Sequence, residues 1–501
     1  MAVRRFSLGL ICAALAALGP IACGQSSSDL ARVGVIGPEP RLVETVMAPL
    51  TESEALFRAN VAQGLVRFDE RGQVIPGLAE RWNVSDDGLS YIFRLQTGEW
   101  PDGRRIKADD IARILSRQLR PASKNPLKDS LGAVSEIVAM TDRVIEIRLN
   151  APRPNLLQLL AQPEFGLVRS SVGTGPFHVA TAEELALLPA DLRQQPGVVL
   201  ARRIRIPDAD DPVEKVHLRG SDAARLVAAF ANGDLELVLG GKVGDLPLAL
   251  EAKVPRGARR FDPVFGLFGL APTRRSETLR EREVRRLLSQ AIDRDALIAG
   301  LHVGGLEPRA TLLQAGLDGI GSPQPPAWLD QPPSERRALL QAEVQRLFGD
   351  VQRPTFRVYL PKGPGGEYLL ARLHYDWGPL GLQVEAAPTP ASADLVWVDE
   401  VAPSTSPAWF LRRFRCAAAP ICLEDADLLL EQARETPDAS KRTQLFMEAA
   451  QMMDDAQLFI PVAAPIRWSL VSGRAPGFAE NPFARHTLVG LTDIGTRSGL
   501  R

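Results

Sequence analysis

The chain has 501 residues, with 59 basic and 60 acidic side chains and a net charge of −1, so its charge gives no case for nucleic acid as a partner. At this length and 45% hydrophobic content it buries large cores and needs two or more domains. Beyond the N-terminal region no segment is long and apolar enough to cross a bilayer.

Arg4 and Arg5 precede the apolar run SLGLICAALAALGPIA, which is short for a span of about 20 residues and is broken at Gly19-Pro20. Residues 1–22 therefore read as a cleaved export signal. Cys23, between Ala22 and Gly24, resembles the lipidated cysteine of a bacterial lipobox, although Pro20 stands where a Leu is usual. A plain secretory signal with a bystander Cys is the alternative. The polar stretch GQSSSD that follows suits a tether, residues 23–30, between acyl chains and a folded body. The expected location is periplasmic or cell-envelope, on a membrane through a lipid anchor.

The folded chain opens with the strand candidate RVGVIG, followed by a helix ending at Gly64. In VIPGLAERWNVSDDGLSYIFRL, Leu78, Ala79 and Trp82 fall at the spacing of one turn of helix. Ser85-Asp86-Asp87-Gly88 then predicts a hairpin turn between WNV and SYIFRL, with Gly88 supplying positive φ. Ala108-Asp109-Asp110 starts an amphipathic helix with Ile111, Ile114 and Leu115 on one side. The alternation in RVIEIRL marks a half-buried strand, and APRPNLLQLLA is a proline-bounded helix. The glycines of GTGPFHV and GGKVGD lack the lysine and spacing of a phosphate loop and read as turns where backbones approach closely.

Further along, RLVAAFANGDLELVL gives helix, turn and strand, and VRRLLSQAIDRDALIAGL gives two helices, the second capped by Asp293. A proline-rich stretch covers residues 316–333. TFRVYLPKG, EYLLARLHYDWGPLGLQVEA and SADLVWVDE then read strand, helix, strand, strand, the alternation of an α/β unit. A helix pair over DADLLLEQARETPDASKRTQLFMEAAQMMDDA and the strand LFIPVAA close the chain.

Cys12 leaves with the signal and Cys23 is the lipid site, which leaves Cys416 and Cys422. In an oxidising compartment two cysteines six apart close a small disulfide loop. Half a metal site is the rival, but no His or further Cys lies near and zinc wants three or four ligands. His178, His217, His302, His374 and His486 form no pair at ligand spacing, and neither G-x-S-x-G nor H-E-x-x-H occurs. No metal or other cofactor is expected, and binding is favoured over catalysis.

The run GLVRFDERGQVIPGLAERWNVSDDGLSYIFRLQTGEWPDGRRIKADD resembles the N-terminal signature of the family 5 solute-binding proteins, the dipeptide and oligopeptide-binding components of ABC importers. The resemblance continues through LNAPRPNLLQLLA, GTGPFHV, ANGDLELV, VRRLLSQAIDRDAL, PLGLQVE and QLFMEAAQMMDDAQLFIPVAA. It implies an α/β fold like the type II periplasmic binding proteins: two lobes with a cleft and a hinge, plus an extra α+β domain in the first lobe. The implied layout puts the first lobe's core in 31–50, 173–260 and 470–501, the extra domain in 51–172 and the second lobe in 261–469.

By the same resemblance VWVDEVAP carries the ligand site, with Trp397 as a wall of the cleft and Asp399 or Glu400 pairing with a peptide's ammonium group. The sequence leaves open which of the two acids faces the cleft. For the ligand's carboxylate, Arg412 and Arg413 are nominated by position alone. The chain departs from the family where Gly269-Leu270 replaces a usual Asn-Thr pair, and in the stretch GLDGIGSPQPPAWLDQPPSERRALL. The implied partners are a peptide or peptide-like solute and a permease with its ATPase, with the receptor acting as a monomer. A sensory or assembly lipoprotein that binds a protein partner on the same fold is the alternative.

Overall fold

The computed structural model describes residues 30–205, 211–349 and 353–492; the expected export signal, Cys23 and the tether up to residue 29 lie outside them. Two mixed sheets organise the described chain. The first has seven strands in the order His178–Val179, Val198–Arg203, Val213–Ser221, Leu30–Ile36, Leu237–Gly241, Trp468–Val471, Arg259–Phe261. Leu30–Ile36 is parallel to both neighbours, and its β-branched Val33 and Val35 are fully buried, as a strand covered on its faces requires.

The second sheet has five strands in the order Gln383–Ala386, Thr355–Tyr359, Leu395–Val401, Gly266–Pro272, Ile460–Ala463. Thr355–Tyr359 and Gln383–Ala386 are parallel, so a crossover must join them. The helix Pro364–Trp377 is that crossover, and it buries Leu369, Leu373 and Trp377 against the sheet side. Gly269 sits where the pairing with Ile460–Ala463 shifts register. A Cβ there would come within 2.1 Å of the Ile460 carbonyl oxygen, so this departure from the family pattern is a backbone requirement.

The chain passes between the sheets twice, through residues 262–265 and 464–467. These crossings lie a few residues from the lobe boundaries expected at 260/261 and 469/470. They run side by side, with the Asp262 N–H donating to the Arg467 carbonyl at 3.0 Å. Two short adjacent strand-to-strand connections are the geometry of a hinge, because a few backbone torsions there can turn one sheet against the other.

A separate antiparallel sheet of four strands, Ala79–Val84, Ser90–Leu95, Val144–Leu149 and Val134–Thr141, makes up the centre of a further module. Helix Ala108–Leu119 lays Ile111 and Leu115 on it, in one cluster with Phe93, Ile145 and Ile147. Its hairpin turns at Ser85 to Gly88: Gly88 has φ +68, and the Asp87 carboxylate accepts from Leu89 N–H at 2.9 Å and from the Ser85 hydroxyl at 2.5 Å. The helical turn expected over Leu78, Ala79 and Trp82 is absent. Ala79–Val84 is a strand whose Trp82 stands opposite Phe93, because pairing with a partner strand outweighs a spacing that only three residues support.

The glycine corner at 173–175 is a close approach of two chain segments. Cβ atoms on Gly173 and Gly175 would fall 2.4 and 2.3 Å from the Val61 and Asn60 carbonyl oxygens.

Candidate functional site

A cavity of about 800 Å³ lies between the two sheets at the hinge. Its floor comes from the first sheet. Strand Leu237–Gly241 ends in Gly240, with φ +84, and Gly241, where a Cβ would stand 2.1 Å from the Trp468 ring. The glycine lets that ring lie flat on the backbone, and its Nε1–H donates to the Lys242 carbonyl at 2.9 Å. Glu52 enters from the first turn of helix Glu52–Val61. A reciprocal box fixes that helix start: the Thr51 hydroxyl accepts from Glu54 N–H, and the Glu54 carboxylate accepts from Thr51 N–H. The other wall is the end of strand Leu395–Val401, continuing through Ala402 and Pro403, with Trp409, Arg412 and Arg413 behind it.

The lining is dense in charge, and most of that charge is paired. Glu52 meets Lys242 at 3.1 Å and Arg485 at 3.2 Å, and Arg485 also reaches Glu164 at 3.5 Å. Burial alone would raise the Glu52 carboxyl, but Lys242, Arg485 and Arg467 outweigh it and hold it at about 2. His486 meets Asp262 at 3.1 Å. Among the described residues, Arg412 and Asp129 are the charged lining groups whose side chains have no hydrogen-bond or ion-pair partner. Burial lowers the Arg412 pKa and the charge of Asp129 partly offsets this, so Arg412 remains a cation at neutral pH.

Asp399 and Glu400 both line the cavity but differ in their state. Asp399 is tied down twice: Arg467 Nη1 donates to its Oδ1 at 2.7 Å and Nη2 to its backbone oxygen at 3.0 Å. Both side chains of that pair are nearly buried, at 10% and 7% exposure. Glu400, with 47% of its side chain exposed, pairs with the similarly exposed Arg413. Trp397 is not a cavity wall. It is 5% exposed and packs edge-on to Phe268, with ring centres 5.0 Å apart, inside the main core. The aromatic surfaces the cavity does have are Trp468, Trp409 and Phe483.

Cys416 and Cys422 are joined to each other, and Ala417 and Ala418 within their loop face the cavity. This replaces the rival reading of half a metal site. Among the described residues no group of three or more His, Cys, Asp or Glu is placed to hold a metal ion. Glu52, Lys242, Arg467, Trp468, Arg485 and His486 carry no sequence signal for a site. They come from four distant segments, and the nearest clue was the cationic and aromatic character of IRWS and ARH near the C-terminus.

The family model of the bacterial extracellular solute-binding proteins, family 5 middle region, matches residues 73–411. A probable di/tripeptide-binding protein of Pseudomonas aeruginosa is 24% identical over 491 residues, covering 84% of this chain and 88% of that protein. The dipeptide-binding protein of Escherichia coli is 22% identical over 465 residues, covering 83% and 85%. In structure, the chain is similar to Haemophilus influenzae OppA in complex with RPPGFSPFR, with a TM-score of 0.76 at 15% identity, over 92% of this chain and 98% of that one.

Proposed function

The chain belongs to family 5 of the bacterial extracellular solute-binding proteins, and from that premise we propose that it is the receptor of an ABC importer, closing two lobes over a peptide or peptide-like solute and delivering it to a membrane permease. The observation that carries the reading is the cavity of about 800 Å³ set directly at a hinge of two crossing segments. A ligand enclosed there is held by shape and backbone hydrogen bonds, so its side chains need little selection. The protein binds and releases its ligand without chemistry on it.

Glu400 is the proposed partner of the ligand's ammonium group. It stands at the end of its strand, and its present partner Arg413 is 40% exposed, so exchanging an exposed guanidinium for an ammonium costs little. Asp399 keeps its structural partner Arg467. Arg412, a cation without a partner among the described residues, receives the ligand's carboxylate. Lipidation at Cys23 and action as a monomer belong to the same proposal.

Native mass spectrometry of the protein, purified without denaturant, tests it. A retained mass that fragments as a peptide is the expected result. A protein that carries nothing, and whose melting temperature no member of a di- to pentapeptide library shifts, overturns the peptide reading.

A further inference from the structure

A second cavity, of about 530 Å³, opens beside the first and shares Asp129, Trp409, Arg412 and Arg415 with it. It lies between the four-stranded module, which contributes Arg153, and the second lobe, which contributes Arg434 and Arg442 on the helix pair Glu424–Glu435 and Ala439–Asp455. Five arginines line it against two aspartates. Asp318 is already engaged: its Oδ2 accepts from Asn155 Nδ2 at 2.6 Å and its Oδ1 from the Thr405 hydroxyl at 2.7 Å.

That clasp joins the module to the second lobe, and in doing so it draws like charges together. Arg434 is paired with Glu431 at 2.9 Å, and Arg442 donates to the Thr436 and Pro437 carbonyls at 3.0 and 3.1 Å. Arg153 has no side-chain partner among the described residues. Its burial lowers its pKa, and the charges of Arg442 and Arg434 act in the same direction. Its backbone is fixed all the same: prolines flank it on both sides, and the Tyr91 hydroxyl donates to its carbonyl at 2.9 Å. A half-buried guanidinium on a fixed stretch of backbone, close enough to other guanidiniums across a lobe interface to feel their charge, is an unfavourable arrangement that an oxyanion between them would offset.

We propose that this annexe is an anion subsite, through which the receptor selects peptide-like solutes whose extension beyond the main cleft carries a carboxylate or phosphate on Arg153, Arg434 and Arg442. The proposal rests on the cleft being the ligand site. Binding there also favours closure, because the anion neutralises charges contributed by both sides of the interface.

Calorimetry on the purified protein uses Ala-Ala-Glu against Ala-Ala-Gln, and Ala-Ala-phosphoserine against Ala-Ala-Ser. The acidic member of at least one pair binds about tenfold tighter, and the better pair tells carboxylate from phosphate. R153Q, which removes no internal partner, and R434Q each shrink the preference while leaving the neutral peptide's affinity unchanged. Equal affinities within both pairs, or a preference that survives both variants, overturns the subsite. If no peptide binds at all, the peptide reading fails and a second measurement decides on the annexe. Inorganic phosphate should then raise the melting temperature over chloride at matched ionic strength, in the parent and not in R153Q; no such difference overturns the subsite by itself.

Discussion

The cleft floor and the annexe beside it are both rich in guanidinium groups, and they pair them to different extents. On the floor each cation has its carboxylate: Arg467 with Asp399, Arg485 with Glu52 and Glu164, Lys242 with Glu52. In the annexe Arg415 and Arg434 share Glu431, whereas Arg153 has no carboxylate among the described residues, Arg412, which lines both cavities, has none either, and Arg442 has only backbone carbonyls. Matched charges at a hinge hold a shape, since each pair would be costly to break; unmatched charges facing a cavity await a ligand. Charge density alone does not mark a binding site in this molecule; what distinguishes the annexe is that Arg153 and Arg442 face it without a carboxylate of their own, beside an Arg412 shared with the main cavity.

The comparison breaks most visibly at Asp399. D399N leaves the nearly buried Arg467 without its charge partner, and chemical denaturation should show a loss of about 3 kcal/mol. A stability equal to the parent's would mean that the floor pair is no more structural than the annexe arginines.

Glu52 sharpens the same point through pH. Its folded pKa, about 2, lies below its ordinary value of 4.5, so its stabilisation is present above pH 4.5 and is lost as pH falls from there toward 2. Its side chain is 32% exposed; allowing for solvent screening, E52Q should cost about 2 kcal/mol at pH 7. The gap between parent and variant should close across that acid window. A gap that is constant with pH would assign the effect to shape rather than charge.

The loop closed by Cys416 and Cys422 borders the main cavity, and opening it by C416S/C422S should lower stability by about 2 kcal/mol, the chain-entropy value for so short a loop. Thermal unfolding of the two forms measures this directly. The smallest effect on the fold is expected at Glu400. E400Q should leave the melting temperature unchanged and weaken binding of a free-amine peptide about tenfold, with an N-acetylated peptide unaffected. Equal losses for both peptides would remove the ammonium role.

Much of the fold was legible because its elements carry local signals. The alternation in Val144–Leu149, the Asp-Asp-Gly turn and the Asp293 cap each depend on residues close in sequence, and each appears where the pattern puts it. Ala79–Val84 was misread because three apolar residues at helical spacing say nothing about the strand waiting to pair with them. At the candidate site, the strand end that carries Asp399 and Glu400, and the nearby Arg412 and Arg413, are the residues named from the sequence that line the cavity. It misplaced Trp397, whose neighbour Phe268 lies on another strand more than a hundred residues earlier.

Family membership, the alternating elements and the close backbone approach at Gly173 and Gly175 are readable from the chain's order alone, because each follows from short-range sterics, periodicity or motif order. The tertiary structure decided what those residues do. Only when the two crossings lie side by side does Arg467 reach Asp399 and leave Glu400 facing the cavity, and only the module's contact with the second lobe gathers Arg153, Arg434 and Arg442. Charge interactions fall off over a few ångströms in space, and the residues that come that close are far apart along the chain.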